Sequence, residues 1–422
     1  MPQHQTLSLR SAILININIM MGTGIFINTV ILAKQSGLLG AGIYTLAGLL
    51  MLPLVLSMAE QTKLHTEGNF YSFGSSISAF WGFMNTWIYF FTKLASATLS
   101  LHVFTLFLIN LIPILKNFPL FYLEICLISF FIFLNTLHIK TGRSIQIGFI
   151  FMKGIPLLFA LIAGLLSFNI VNIAAPHIIW SGIATALPLT LFCYLGFETI
   201  CSLSRHIENP QVNRPRAIII SFSLIILITT LYQLFFYASL GPWLGQQTNY
   251  VDAFPGLINK TVPHLMNFLT PLFSIAIGTS ALGGAYGILY SNSWNLFTLA
   301  QKNHLIGSSY FSRLNIYNAP TLCVITEGVI CITYLFITKG SQLPHQYTAV
   351  MGCIIAYTIS IFALYREKKS LLSICGLITC LILGAVCLNG FIYTTFMPLV
   401  IFGVIITSGL SMFYAKNKYL TY

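Results

Sequence analysis

Residues 19–28 read IMMGTGIFIN, inside an apolar run that opens near Leu9 and lasts to Ala33. A run of that length crosses a bilayer as a helix, which takes about 20 apolar residues. Two glycines flanking Thr23 at its middle work against that helix. Glycine costs helix stability relative to alanine, and threonine bonds backbone in other conformations. The stretch therefore predicts a spanning helix broken at Gly22-Thr23-Gly24. Freed backbone survives at membrane depth only where it lines a cavity or is buried in protein. The plainer explanation is a glycine-mediated contact, since small residues are common where membrane helices pack.

The surrounding composition fits a membrane setting. The 422 residues are 57% hydrophobic and 7% charged, with a mean hydropathy of +0.86, which excludes a soluble protein. Twelve candidate spans fall at roughly 10–33, 39–60, 79–111, 119–138, 145–168, 182–203, 216–240, 267–291, 320–338, 346–365, 370–388 and 391–414. The third and eighth are long enough to continue beyond the bilayer. The polar gaps are loop-sized, so residues 1–422 read as one transmembrane domain. The first run is too long for a cleavable signal and lacks a small-residue cleavage pattern, so it stays as a span.

The net charge of +12 follows topology. With a cytoplasmic N-terminus, fourteen of the twenty lysines and arginines lie in cytoplasmic segments, among them Arg10, Arg143, Arg205, Arg214, Arg313 and Lys368. Only Lys34, Lys116, Lys260 and Lys339 lie outside. This is the positive-inside bias, and it places both termini in the cytoplasm. The basic surplus needs no nucleic-acid partner. The nine cysteines show no CxxC or metal-ligand spacing and read as small buried apolar residues, so neither disulfides nor a metal are expected.

A second interrupted span answers the first. Residues 186–199 read ALPLTLFCYLGFET, with Pro188 early and Gly196 just before Glu198. Proline cannot donate a hydrogen bond and glycine tolerates unwinding. The breaks fall in spans 1 and 6, so spans 1–5 (about 10–168) and 6–10 (about 182–365) can be inverted repeats, with spans 11 and 12 (about 370–414) appended. Paired interruptions in two halves are the sequence pattern of a transporter binding site. Amides at a half-helix N-terminus suit a carboxylate, and carbonyls at a half-helix C-terminus suit an ammonium.

Four stretches then resemble one family, the amino acid–polyamine–organocation transporters. GTGIF at 22–26 is similar to that family's first-helix motif. SMAEQTKLHTEGNFYSF at 57–73 resembles the loop after helix 2, and FCYLGFETICSLSRHIENPQVNRPRAI at 192–218 the sixth helix and its following loop. SNSWNLFTLAQKNHLIGSSYFSRLNIYNAP at 291–320 resembles the region after helix 8. The chain departs from the pattern where Ser204-Arg205 stands for an acidic pair, and where Asn292 and Lys302-Asn303 replace an arginine and an acid. Those departures weigh on a standard cytoplasmic salt-bridge network more than on the fold.

The resemblance implies an all-α LeuT-type five-plus-five fold with helices 1 and 6 discontinuous, and alternating-access transport of amino acids without redox cofactor or metal. It implies that Met21, Gly22, Thr23 and Gly24 meet a substrate carboxylate. Phe192, Cys193, Leu195 and Gly196 belong to the second break, the first three offering carbonyls to the amine, with Phe192 also as an aromatic lid.

Ionisable residues deep in apolar sequence are functional candidates by default. Lys153, in GFIFMKGIPLLFA, sits where sodium-independent relatives carry a lysine in place of the ion. It reads either as a proton carrier or as a fixed charge bonded to carbonyls of the broken first helix. Tyr89, Lys93 and Ala97 share one helical face, which the resemblance turns toward the substrate. A cation there favours neutral or acidic amino acids over cationic ones; the alternative is snorkelling or pairing with Glu124. Glu198 reads as a gate or pH sensor, or as a spacer for the unwound segment. Glu327 has no assigned role, and His102 reads as a packed histidine.

The expectation is a sodium-independent inner-membrane amino acid permease, monomer or homodimer, working by proton symport or by exchange. Its rivals are a polyamine carrier of the same fold and a transporter-like sensor. An enzyme would need a nucleophile–base set or a metal cluster at depth, and the sequence supplies neither.

Overall fold

The computed structural model describes residues 6–22, 24–174, 179–248, 250–394 and 396–420. Thr23 lies outside the described residues. Helix α1 (Leu9–Met20) is followed by α2 (Gly24–Ser36), the pair bent by 44°. Next come α3 (Leu39–Leu64), the short α4 (Phe70–Ser75), α5 (Ala79–Leu111), α6 (Leu120–Asn135), α7 (Ile139–Leu166) and a single turn, α8 (Val171–Ala174). The second half opens with α9 (Ile183–Tyr194) and α10 (Thr199–Ser202), then α11 (Pro210–Leu240), α12 (Tyr250–Thr261) and α13 (Met266–Gln301). After α14 (Ser308–Phe311) the chain closes with α15 (Thr321–Thr338), α16 (Gln342–Lys368), α17 (Leu371–Thr394) and α18 (Met397–Leu420).

Among the described residues, nine helices are long and apolar enough to cross a membrane, or ten when α1 and α2 count as one bent span. The protein is an all-helical polytopic membrane protein. Two expected spans fall short of that measure for physical reasons. The fourth is α6, an apolar helix of 16 residues. The sixth is split into α9 and α10, of 12 and 4 residues, by the break at 195–198. The third expected span matches α5 end to end, and the eighth continues as α13 to Gln301.

Local chemistry sets several ends. Ser8 Oγ accepts from Ser11 N to start α1. Asn69 and Ser72 exchange side-chain-to-backbone bonds around α4 as a capping box. Pro210 opens α11, where its missing N–H would have had no partner, and Gly241 ends it at φ +62°. α5 and α13 pack along each other at the centre, and α16 and α3 flank α5 and α11. Arg214, buried in α11, donates to the carbonyls of His65 at 3.1 Å and Thr66 at 2.7 Å, tying that helix to the loop after α3.

Candidate functional site

The last turn of α1 leaves carbonyls without helical partners. Lys153 of α7 supplies one set of donors: its Nζ lies 2.8 Å from Asn18 O and 2.9 Å from Met21 O, with Ser280 O at 3.5 Å. Ser280 of α13 supplies the other, its hydroxyl donating to Met21 O at 2.9 Å and to Gly22 O at 3.3 Å. A cation at a helix C-terminus also complements the partial negative charge there. Lys153 is fully buried and has no acidic partner within ion-pair distance among the described residues. Its amine is held by carbonyls alone. Nearby, Asn18 Nδ2 donates to Gln146 Oε1 and to Gly283 O, clamping α1 against α7 and α13.

The second break lies against the first. α9 ends at Tyr194, Leu195 turns extended, and Gly196 takes φ +131°, a conformation that side-chain-bearing residues rarely adopt. Space there is also short: a Cβ on Gly196 would stand 2.8 Å from Ile19 Cγ2 and 3.1 Å from Met20 N. Asn16 of α1 donates to Phe197 O at 2.7 Å, and Asn28 of α2 to Leu189 O at 2.8 Å and Cys193 Sγ at 3.2 Å. Both halves of the first broken span therefore pin the second through an asparagine amide.

Glu198 collects the donors around the second break. Lys93 Nζ stands 2.7 Å and Tyr89 Oη 2.9 Å from its Oε1, while the Gly196 N–H donates to Oε2 at 2.8 Å. All three side chains are buried. The structure thus gives Lys93 a partner that sequence reasoning did not weigh for it. Glu124, the partner considered, is instead 2.5 Å from Nδ1 of His102, so His102 is hydrogen-bonded and not simply packed. A lysine neutralised by Glu198 offers no free positive charge to a substrate.

Between the breaks lies a small cavity of about 20 Å³, lined by Ile19, Met20, Gly22 and Gly24, by Phe192, Cys193 and Leu195, and by Ser96, Ser100, Gly284 and Ile288. That is room for about one water. Five of the expected site residues come together here: Gly22, Gly24, Phe192, Cys193 and Leu195. Met21 adjoins them with its carbonyl committed to Lys153 and Ser280. Tyr89 and Lys93 are not in this wall; they meet Glu198 instead. Ser96 and Ser100 were missed, although the sequence held a signal, because they continue the helical face of Tyr89 and Lys93 at positions i+7 and i+11. Gly284 was missed too. A Cβ on it would meet Gly22 Cα at 3.2 Å, so the pair lets α13 approach the break.

A larger cavity of about 540 Å³ opens among the connecting segments, lined in part by Glu67, Arg205, Arg214, Trp294 and Gln301. The residues that depart from the family pattern are engaged here. Arg205 Nη2 donates to Gln301 Oε1 at 2.5 Å and its guanidinium lies 4.9 Å from the Phe297 ring centre. Lys302 pairs with Glu67 at 2.6 Å. Connections between the loops after α3, α10 and α13 persist with different partners.

These features define a membrane protein with two interrupted helices that face each other across a small central cavity. The family model for amino acid permeases matches residues 7–416, and the chain belongs to that family. It is 21% identical to a D-serine/D-alanine/glycine transporter of Escherichia coli K12 over 74% of this chain and 70% of that one. Against the amino-acid permease AapA of Bacillus subtilis the figures are 22%, 77% and 71%. An uncharacterised protein of Methanocaldococcus jannaschii is 30% identical, over 27% of each chain.

Proposed function

We propose that this protein is a secondary carrier of small neutral amino acids, working by alternating access without sodium. It uses a proton gradient or exchanges one amino acid for another. The reading takes the helices as twelve spans in two inverted five-helix repeats with α17 and α18 appended, and both termini as cytoplasmic. The observation that carries it is the pair of breaks around one cavity. The first-turn amides of α2 have no intrahelical acceptor and carry partial positive charge, which fits a carboxylate. Carbonyls at the end of α9, around Phe192 and Cys193, fit the ammonium.

Three features support a small, uncharged side chain. Glycine and serine form much of the cavity wall, and the other residues in it are apolar or thiol. No charged side chain lines it among the described residues, since Lys93 is spent on Glu198. That removes the charge argument for favouring acidic substrates, leaving size and neutrality as the criteria. Finally, the E. coli relative is named for D-serine, D-alanine and glycine. On this reading, a small central cavity with a larger one opening among the basic loops fits a carrier occluded at the site and open toward the cytoplasm.

The test is labelled uptake into proteoliposomes across a panel of amino acids, run with a proton gradient alone and then with unlabelled substrate inside. Alanine, serine and glycine should outcompete arginine, glutamate and leucine. A panel led by arginine or a polyamine would reject the reading.

Lys153 gives a sharper expectation. Lys153→Ala strips the donor from Asn18 O and leaves Met21 O to Ser280 alone, and an unpaired buried carbonyl costs about 1–3 kcal/mol. Uphill accumulation should fall at least about tenfold, which corresponds to about 1.4 kcal/mol. Undiminished accumulation would show that the cation does not support the break.

A further inference from the structure

Glu327, in the middle of α15, is fully buried, and neither carboxyl oxygen has a hydrogen-bond partner. Every other acidic side chain described is engaged. Glu60 pairs with Lys368, Glu67 with Lys302, Glu124 with His102, Glu198 with Lys93 and Glu367 with His65, while Glu208 accepts from Thr6. Glu327 is the exception, and it lies in apolar sequence at membrane depth.

Its surroundings offer no countercharge. Its own helix contributes the thiols of Cys323 and Cys331 and Tyr334, whose hydroxyl donates to Phe91 O. α6 presents Ile128 and Ile132 against the adjacent Gly328, and its Glu124 is paired. From α5, Thr98 faces Cys331, while Lys93 is paired with Glu198 and His102 is bonded to Glu124. α14 carries only Tyr310, which is exposed beneath Arg313. From α13, Tyr290 donates to Ile139 O, and Asn292 approaches the carboxyl with its amide already given to Phe90 O at 3.0 Å.

An isolated carboxylate buried without donors is far costlier than the neutral acid, and such a group keeps its proton. We infer that Glu327 is a proton-binding site that makes transport pH-dependent, separate from Lys153 and from the Lys93–Glu198 pair. The coupling half of this inference rests on the proton-driven form of the proposed function.

The structure also shows how the proton can be felt at a distance. Loss of H⁺ to solvent leaves a carboxylate whose nearest donor is the second N–H of the Asn292 amide, and its pull shifts an amide whose first N–H is already bonded to Phe90 O. Asn292 Oδ1 accepts from Asn295 at 2.9 Å, and Asn295 donates to Ser202 Oγ at 2.8 Å. Ser202 closes α10, the second half of the broken span. Protonation of Glu327 therefore biases a polar chain that ends on the second half of the broken span.

Two readouts test this on the full-length protein. In infrared spectra at neutral pH, a protonated-carboxyl band should be present in the wild type, absent in Glu327→Gln and shifted in Glu327→Asp. In proteoliposomes, the ratio of labelled alanine uptake at acidic to alkaline external pH should fall toward one in Glu327→Gln and be recovered in part by Glu327→Asp. A wild type without the band overturns the site, whether or not the protein transports. A band lost in Glu327→Gln with an unchanged uptake ratio overturns the coupling. Wild-type uptake that ignores pH refutes proton-driven transport, and with it the coupling, while the band still reports the site.

Discussion

Gly24→Ala should reduce uptake by at least about tenfold, and adding Cys193→Ala should restore most of it. A Cβ on Gly24 would lie 2.6 Å from Cys193 Sγ, a separation real atoms do not adopt, while the next contacts are Cys193 Cα at 3.4 Å and Cβ at 3.5 Å. Gly24 is not in the left-handed region, so glycine is needed here for room and alanine faces no backbone strain. Overpacking costs about 1–3 kcal/mol, and 1.4 kcal/mol is a factor of ten. Removing the sulfur leaves only ordinary contacts. Asn28 keeps its bond to Leu189 O when the thiol is gone, so Cys193→Ala alone should stay close to wild type. Gly24→Leu should not be rescued, because its side chain extends past the space the sulfur vacates. Full activity in Gly24→Ala would mean that the two breaks need not touch during transport. A dead double mutant that still folds would place the defect in the backbone of the break and not in the contact.

The legible parts of this site were those written into single segments. GTG at 22–24 and the glycine before Glu198 marked both breaks, because helix-weakening residues in a spanning run are conspicuous locally. The ends of α5 were legible for the same reason, Ala79 to Leu111 being one continuous apolar stretch. Partnerships across the bundle were not. Helical periodicity puts Tyr89 and Lys93 on one face but does not say which helix that face meets. The acid at hand within the same stretch of chain was Glu124, whereas the true partner lies 105 residues away, beyond a break that had to be folded before it could be faced. Ser96, Ser100 and Gly284 share that difficulty: small residues in apolar helices acquire meaning only once the approach of α1 and α13 is known. The departures at Ser204-Arg205 and Lys302 pointed to a missing network, yet the structure rebuilds it with Gln301, Phe297 and Glu67.

Lys93→Met alone should destabilise the protein by about 3–5 kcal/mol, because it leaves Glu198 as an uncompensated buried charge. Glu198→Gln alone should cost a similar amount by stranding the ammonium. Lys93→Met combined with Glu198→Gln should recover most of that loss, since replacing both members of a buried pair with neutral side chains of similar size is often close to neutral. The glutamine carbonyl can take over the Gly196 N–H while its amide faces Tyr89 Oη, whose hydroxyl can turn to accept, so both contacts around the break have a partner. Thermal unfolding in detergent reads these differences, and the non-additivity of the cycle measures the pair directly. Substrate preference then separates two roles for the lysine. If Lys93 only balances Glu198, the double mutant keeps the wild-type order of substrates and still rejects arginine. If its charge reaches the substrate, the double mutant gains arginine uptake, and the neutral-pocket argument built on the closed ion pair fails with it.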